Sequence, residues 1–179
     1  MTQNKITLVL GGVRSGKSRY AQELATGAGR VAFIATGEAL DDEMRQRIER
    51  HRQERPAGWT TIEAPNAMED AVLECSGRVD LILIDCLTLW VSNLMAIEGP
   101  SPERIFARAQ RLCEAMKKAD ASVVLVSNEV GSGVVPVSAD GRLYRDLLGG
   151  VNQQVAAAAD CVLLLVAGCP LAVKGSVER

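Results

Sequence analysis

Residues 11–18 read Gly-Gly-Val-Arg-Ser-Gly-Lys-Ser, directly after the apolar run Ile6-Thr7-Leu8-Val9-Leu10. The spacing is G-x-x-x-x-G-K-[ST], set between a strand and a helix as that motif requires. Backbone N–H groups of Gly11, Gly12, Val13, Arg14, Ser15 and Gly16 can turn inward around phosphate oxygens. Lys17 reaches β- and γ-phosphates, and the Ser18 hydroxyl can hold Mg2+. A helix opening here aims its positive end at the same anion. The chemistry implied is binding of a nucleoside triphosphate.

A second feature is Leu81-Ile82-Leu83-Ile84-Asp85. An acid that ends an apolar strand can hold Mg2+ directly or through water. Many buried strands end in Asp, so the upstream phosphate loop gives Asp85 its weight. The third feature is Asp41 to Pro56, with five arginines, five acids and the one histidine of the chain, His51. Asp41 is an N-cap candidate, and acids in the first turn suit the helix dipole. Helical spacing puts Met44, Arg47, Ile48, His51 and Arg55 on one face. His51 has two open readings. A solvated histidine on a charged helix is the commoner. The other is a nucleophile or acid–base group at a phosphorus centre, with flanking arginines neutralising phosphate charge. Spacing does not choose between them.

These residues must be positioned by regular elements. Short β-branched or Leu-rich runs predict strands at about 6–10, 31–35, 59–63, 80–85, 122–127 and 161–166, with a candidate seventh over Leu171–Lys174. Helices are expected at about 17–27, 42–54, 66–75, 87–97, 102–119 and 141–159. Ser101 and Pro102 read as the cap and first position of one of them. Gly168-Cys169-Pro170 reads as a tight turn into an antiparallel edge strand. The alternation implies an α/β chain with a parallel sheet and helices on both faces. In such sheets ligands sit at the carboxyl ends of strands. The loops after residues 10, 35, 63, 85 and 127 are therefore expected to line one site.

A length of 179 residues suits one domain, 1–179, with no interdomain linker. Aromatics are only 3%, so the core must be built from Val, Leu, Ile and Ala. A net charge of −2 gives no support for nucleic-acid binding. Five cysteines, an odd number with no C-x-x-C pair, read as thiols of a reducing compartment. The N-terminus has no leader pattern. The longest apolar run, near 155–167, is broken by Asp160 and is too short for a membrane span. The cytoplasm is the expected location.

The whole pattern resembles one family. Gly11 to Ala21, Ile34-Ala35-Thr36, Asp41-Asp42-Glu43-Met44, Arg47-Ile48, His51-Arg52, Arg55-Pro56, Trp59 and Glu63 run in its order. Asp85-Cys86-Leu87-Thr88, Val126-Ser127-Asn128-Glu129-Val130-Gly131, Val135-Pro136, Tyr144-Arg145-Asp146, Asn152-Gln153 and Ala159-Asp160 continue it, ahead of Gly168, Pro170 and Lys174. The chain is similar to the bifunctional adenosylcobinamide kinase / adenosylcobinamide-phosphate guanylyltransferases of cobalamin biosynthesis. The family pattern often carries Gly-Arg where this chain has Gly149-Gly150.

The resemblance implies a RecA-like P-loop fold, a homotrimer, and two reactions. ATP or GTP phosphorylates adenosylcobinamide. GTP then gives GMP to adenosylcobinamide phosphate, through a GMP-histidine that matches His51. Lys17 and Asp85 are the other expected catalytic residues, with Ser18 and Asp85 on Mg2+. The resemblance adds Thr36, Gly37, Glu38, Arg52, Gln53, Glu54, Arg55 and Glu63 as nucleotide contacts. A carboxylate at Glu63 can accept the two N–H donors of guanine. Two rivals are a plain small-molecule kinase, which needs no histidine, and a nucleotide switch without turnover.

Overall fold

The computed structural model describes residues 4–39, 41–53 and 55–176. The chain order is β1 (Ile6–Gly11), α1 (Lys17–Ala25), β2 (Val31–Ala35), α2 (Asp42–Gln53), β3 (Thr60–Glu63), α3 (Met68–Cys75) and β4 (Leu81–Asp85). It continues with α4 (Leu87–Glu98), α5 (Pro102–Lys118), β5 (Ser122–Asn128), α6 (Ala139–Ala158), β6 (Cys161–Val166) and β7 (Cys169–Lys174). One seven-stranded sheet has the order β3-β2-β4-β5-β1-β6-β7. Every pairing is parallel except β6 with β7. The parallel α/β sheet and the antiparallel C-terminal edge are those expected.

The strands are apolar throughout because both faces are covered. Ile6, Leu8, Ile34, Ile82, Ile84, Val123 and Leu125 pack with α3 to α6. The alternate residues Val9, Phe33, Leu83, Val124, Val126 and Leu163 pack against Ala21 and Ala25 of α1. This alternation fixes which side chains face the phosphate loop, since α1 grows out of it.

Caps set the helix limits. Asp41 Oδ1 accepts from Met44 N–H at 2.7 Å, and Ser101 Oγ accepts from Arg104 N–H. Ser138 Oγ accepts from Gly141 N–H at 3.2 Å, so α6 starts two residues before the expected 141. The C-terminal turn also lies earlier than expected. Its residues are Ala167 and Gly168, both at positive φ (51° and 83°), while Val166 pairs with Cys169. Two positive-φ residues match the twist of the flanking strands. Cys169 and Pro170 already belong to β7, an edge strand that tolerates proline.

Position 150 faces inward, between α5 and α6. A Cβ on Gly150 would lie 2.6 Å from Cε1 and Cζ of Phe106. The departure from Gly-Arg is thus matched by a phenylalanine ring packed on the bare helix backbone. No described helix is long and apolar enough to cross a membrane.

Candidate functional site

The phosphate loop is built by close contacts. A Cβ on Gly11 would lie 2.3 Å from Ser15 Oγ and 2.9 Å from the Leu165 carbonyl oxygen, so this position excludes a side chain. Ser15 N–H donates to Gly12 O at 3.2 Å, and Lys17 Nζ reaches the same carbonyl at 3.1 Å. Gly16 has φ 90°, which closes the loop onto α1. The β6–β7 turn adds a support that no local motif encodes. Gly168 N–H donates to Ser15 O at 2.9 Å, and a Cβ on Gly16 would stand 3.4 Å from Gly168 Cα. The β6–β7 turn thus braces the phosphate loop at Ser15 and Gly16.

Strand β5 lies between β1 and β4. Asp85 is therefore one strand removed from the loop, and α1 spans the gap. A cavity of about 400 Å3 opens at this carboxyl edge. Ser18, Asp85, Glu38, His51, Arg52, Arg55 and Glu63 supply its polar wall, and Phe33, Met44, Ile48, Pro65 and Leu89 its apolar one. That size and mixture suit a small polar ligand with a flat apolar part. Met44, Ile48 and His51 recur at helical spacing, so α2 turns His51 into the cavity that Ser18 and Asp85 share. The surface-histidine reading of His51 gives way to a cavity position.

Arg55 lies just past the end of α2, where its N–H bonds to Arg52 O. Its guanidinium stacks 3.7 Å from the Phe33 ring centroid, and Phe33 in turn stacks on Trp59. Burial pulls this guanidinium below its ordinary pKa, Arg52 adds to that, and Asp85 and Glu63 oppose it. Nη1 donates to Thr61 Oγ1, while Nε is buried and has no hydrogen-bond partner among the described residues. Arg55 is thus held by stacking with spare hydrogen-bonding capacity.

Glu63 ends β3 as expected, and its Oε1 accepts from Arg52 Nη2 at 2.8 Å. Both side chains are more than half exposed. Such pairs contribute only about 0.2–1 kcal/mol, so an incoming ligand opens this one at small cost. Gly37 also lines the cavity, whereas Gln53 bonds to Glu49 on the exposed side of α2. Glu54 lies outside the described residues. Thr36 is fully buried and its polar groups are spent. Its hydroxyl bridges Cys86 O and Cys86 N–H at 2.8 Å each, its N–H bonds to Asp85 O, and its O accepts from Asn93. Thr36 clamps the Asp85–Cys86 corner from behind the cavity.

Two further ionisable groups, Glu129 and Cys86, have pKa values moved by their surroundings. Burial works to raise the Glu129 pKa, but hydrogen bonds from Ser132 and from Gly131 N–H hold it below the usual carboxylate range. Its carboxylate caps its own loop, and it does not line the cavity. The loop after β5 thus departs from the expected shared lining and docks beside the phosphate loop, Glu129 N–H bonding to Gly11 O. The Cys86 thiol lines the cavity, but burial and then Asp85 push its pKa up to about 11. It stays protonated at neutral pH and is a poor nucleophile. Sequence reasoning missed Asn93, whose Nδ2 ties Thr36 O and Pro65 O together. The available signal was a polar residue inside the apolar run of α4.

Known proteins align with this arrangement over nearly its full length. The family model for cobinamide kinase / cobinamide phosphate guanyltransferase matches residues 7–173. The bifunctional adenosylcobalamin biosynthesis protein CobU of Escherichia coli is 42% identical over 178 residues, covering 93% of this chain and 98% of its own. Its counterpart CobP of Pseudomonas aeruginosa is 41% identical, covering 94% and 96%. Two solved structures are similar in fold. The P4 protein of bacteriophage phi6, in complex with ADP, gives a TM-score of 0.51 at 17% identity, over 93% of this chain and 54% of that one. A type III secretion ATPase gives 0.58 at 12%, over 89% and 50%. The chain spans about half of each structure, and the likeness shows the P-loop NTPase fold alone. The matched span holds the phosphate loop, His51 and Asp85 together, and on that evidence the chain belongs to the cobinamide kinase / cobinamide phosphate guanyltransferase family.

Proposed function

We propose that this chain, acting as one domain over 1–179, carries out two successive transfers in cobalamin biosynthesis. In the first, the hydroxyl of adenosylcobinamide attacks the γ-phosphorus of ATP or GTP. The hydroxyl proton is lost and the nucleoside diphosphate leaves. In the second, an imidazole nitrogen of His51 attacks the α-phosphorus of GTP and expels pyrophosphate. An oxygen of adenosylcobinamide phosphate then attacks the same phosphorus, freeing His51 and giving adenosylcobinamide-GDP. Splitting the displacement through a nucleophile replaces one difficult step with two easier ones.

The observation that carries this reading is the position of His51 in the cavity of Ser18 and Asp85. A plain kinase has no use for a histidine there. Residues 11–18 cradle the triphosphate, and Lys17 neutralises charge on its β- and γ-phosphates. Arg52 and Arg55 face the α-phosphate from the opposite wall. Glu63, released from Arg52, accepts from the guanine edge. Ser18 and Asp85 are hard oxygen donors on one cavity, which fits Mg2+. Bound there, the ion neutralises phosphate charge. The direct test uses GTP labelled at the α- or the γ-phosphate. Label from the α position stays on the protein, is acid-labile, and leaves on addition of adenosylcobinamide phosphate. No retained label would reduce the enzyme to the kinase alone.

The chain is further proposed to act in the cytoplasm as a homotrimer. Every residue of β7 is exposed, including Leu171 and Val173, on a sheet edge with unpaired backbone groups. Light scattering in solution reads the assembly directly. A trimer mass is expected, and a monomer at micromolar concentration would refute it.

A further inference from the structure

Phe33 is the one aromatic ring among the described residues that line the cavity of Ser18 and Asp85, and no step above uses it. It lies on β2, with Thr61 of β3 beside it on one side and Leu83 of β4 on the other. Two residues on, Ala35 is flanked in the same way by Glu63 and Asp85. Pleating puts both rows on one face of the sheet, about 7 Å apart along the strands. The two acids of the outer row stand two strand spacings apart, about 10 Å between Cα atoms. A nucleotide with its base at Glu63 and its β- and γ-phosphates at residues 11–18 lays its α-phosphate over the middle of that row, at Ala35.

The inner row holds Arg55. Its guanidinium carbon stands 3.7 Å from the Phe33 ring centroid, and Nη1 donates to Thr61 Oγ1 at 3.3 Å. One contact comes from each of two neighbouring strands, so the group is fixed in two directions. The ring that carries it is itself held: Phe33 is 2% exposed and stacks on Trp59 with centroids 6.4 Å apart. Asp85 and Glu63 both favour the charge on Arg55, as suits a cation lying between the two carboxylates. Arg52, by contrast, is over half exposed and tied to Glu63. Of the two arginines, only Arg55 is anchored to the sheet before a nucleotide arrives. A cation is attracted most strongly to an aromatic face where water is excluded, and this one is largely so.

We propose that Phe33 is a positioning residue of guanylyl transfer: its ring holds the Arg55 guanidinium under the α-phosphate, where the spare N–H groups donate to the non-bridging oxygens as His51 attacks and pyrophosphate leaves. Charge on those oxygens grows in the transition state, and a donor already in place loses nothing to reorganisation. The inference rests on the guanylyl-transfer reading of the cavity given above.

The test measures how fast α-labelled GTP loads label onto the protein in a single turnover, as a ratio to phosphorylation of adenosylcobinamide by the same sample. Replacing Phe33 by phenylalanines that carry one, two and three fluorine atoms nearly keeps the size of the ring while draining the negative face that holds the cation. The ratio is expected to fall with each fluorine, to about 3- to 30-fold below the parent, the range of one cation–π contact. Phe33→Leu removes the face outright and should fall at least as far. Arg55→Gln is expected to slow loading further and to make the fluorine series flat, because the cation is gone. A flat series in the parent background would overturn the positioning role, whether loading is intact or both reactions fall together. A series that stays as steep in Arg55→Gln would overturn it too. Should Phe33→Leu fail to fold, the fluorinated rings still decide. If the parent took up no α-label, the guanylyl-transfer reading itself would fall, which is distinct from a flat series on an enzyme that loads.

Discussion

Replacing His51 with alanine is expected to abolish guanylyl transfer while leaving the phosphorylation of adenosylcobinamide within a few-fold of the parent. The two reactions use different phosphorus atoms of a triphosphate. In the proposed mechanism the γ-phosphorus lies over Lys17 and Ser18 and is transferred directly. The α-phosphorus needs a nucleophile from the facing wall, and His51 on α2 is the group of that type in the cavity. The Cys86 thiol, held protonated by burial, is no substitute. Removing a covalent nucleophile costs on the order of 10^3-fold or more in kcat. Separate assays with adenosylcobinamide and with its phosphate read the two rates. Guanylyl transfer within tenfold of the parent would show that His51 is not the nucleophile. An equal fall in both rates would show that α2 serves only to shape the cavity.

Gly11→Ala is expected to damage both reactions together. The new methyl would meet Ser15 Oγ at 2.3 Å and Leu165 O at 2.9 Å. Ser15 can rotate, but the Leu165 carbonyl belongs to β6, whose register holds Leu165 opposite Gly11. The loop itself must move. A displacement of about 1 Å at a transfer site costs roughly 10^2-fold, and here it applies to every phosphate the loop holds. Gly27→Ala is the control, since a Cβ there meets nothing within 4 Å. Parallel losses in kinase and guanylyl-transfer rates would support one phosphate site serving two reactions. Loss of one rate alone would require two separate nucleotide sites.

The contrast between these variants also shows how much of the site local sequence carries. The phosphate loop is legible because glycine, lysine and serine at fixed offsets have one conformation in common. The face of α2 is legible because 3.6-residue periodicity groups Met44, Ile48 and His51 before any contact is known. The strands are legible as short β-branched and Leu-rich runs, and β2 and β6 fall at the expected residues. Helix α6 was misjudged at its start because a single serine hydroxyl, not periodicity, sets that end.

What needed the tertiary structure is non-local. Strand β1 pairs with β5, more than a hundred residues away, and that pairing puts Asn128 beside Gly11. Nothing in the spacing of residues 11 and 128 encodes it, because strand order follows from how whole helices pack across a sheet. The same holds for Gly168 bracing Ser15, for Phe106 filling the space over Gly150, and for Arg52 bonding to Glu63. The sequence by itself determined the phosphate loop, the parallel α/β plan and the helix face that carries His51, since each depends on neighbours within a few residues. The tertiary structure decided that His51, Ser18 and Asp85 share one cavity, because their meeting depends on the strand order β2-β4-β5-β1 bringing distant carboxyl ends to one edge.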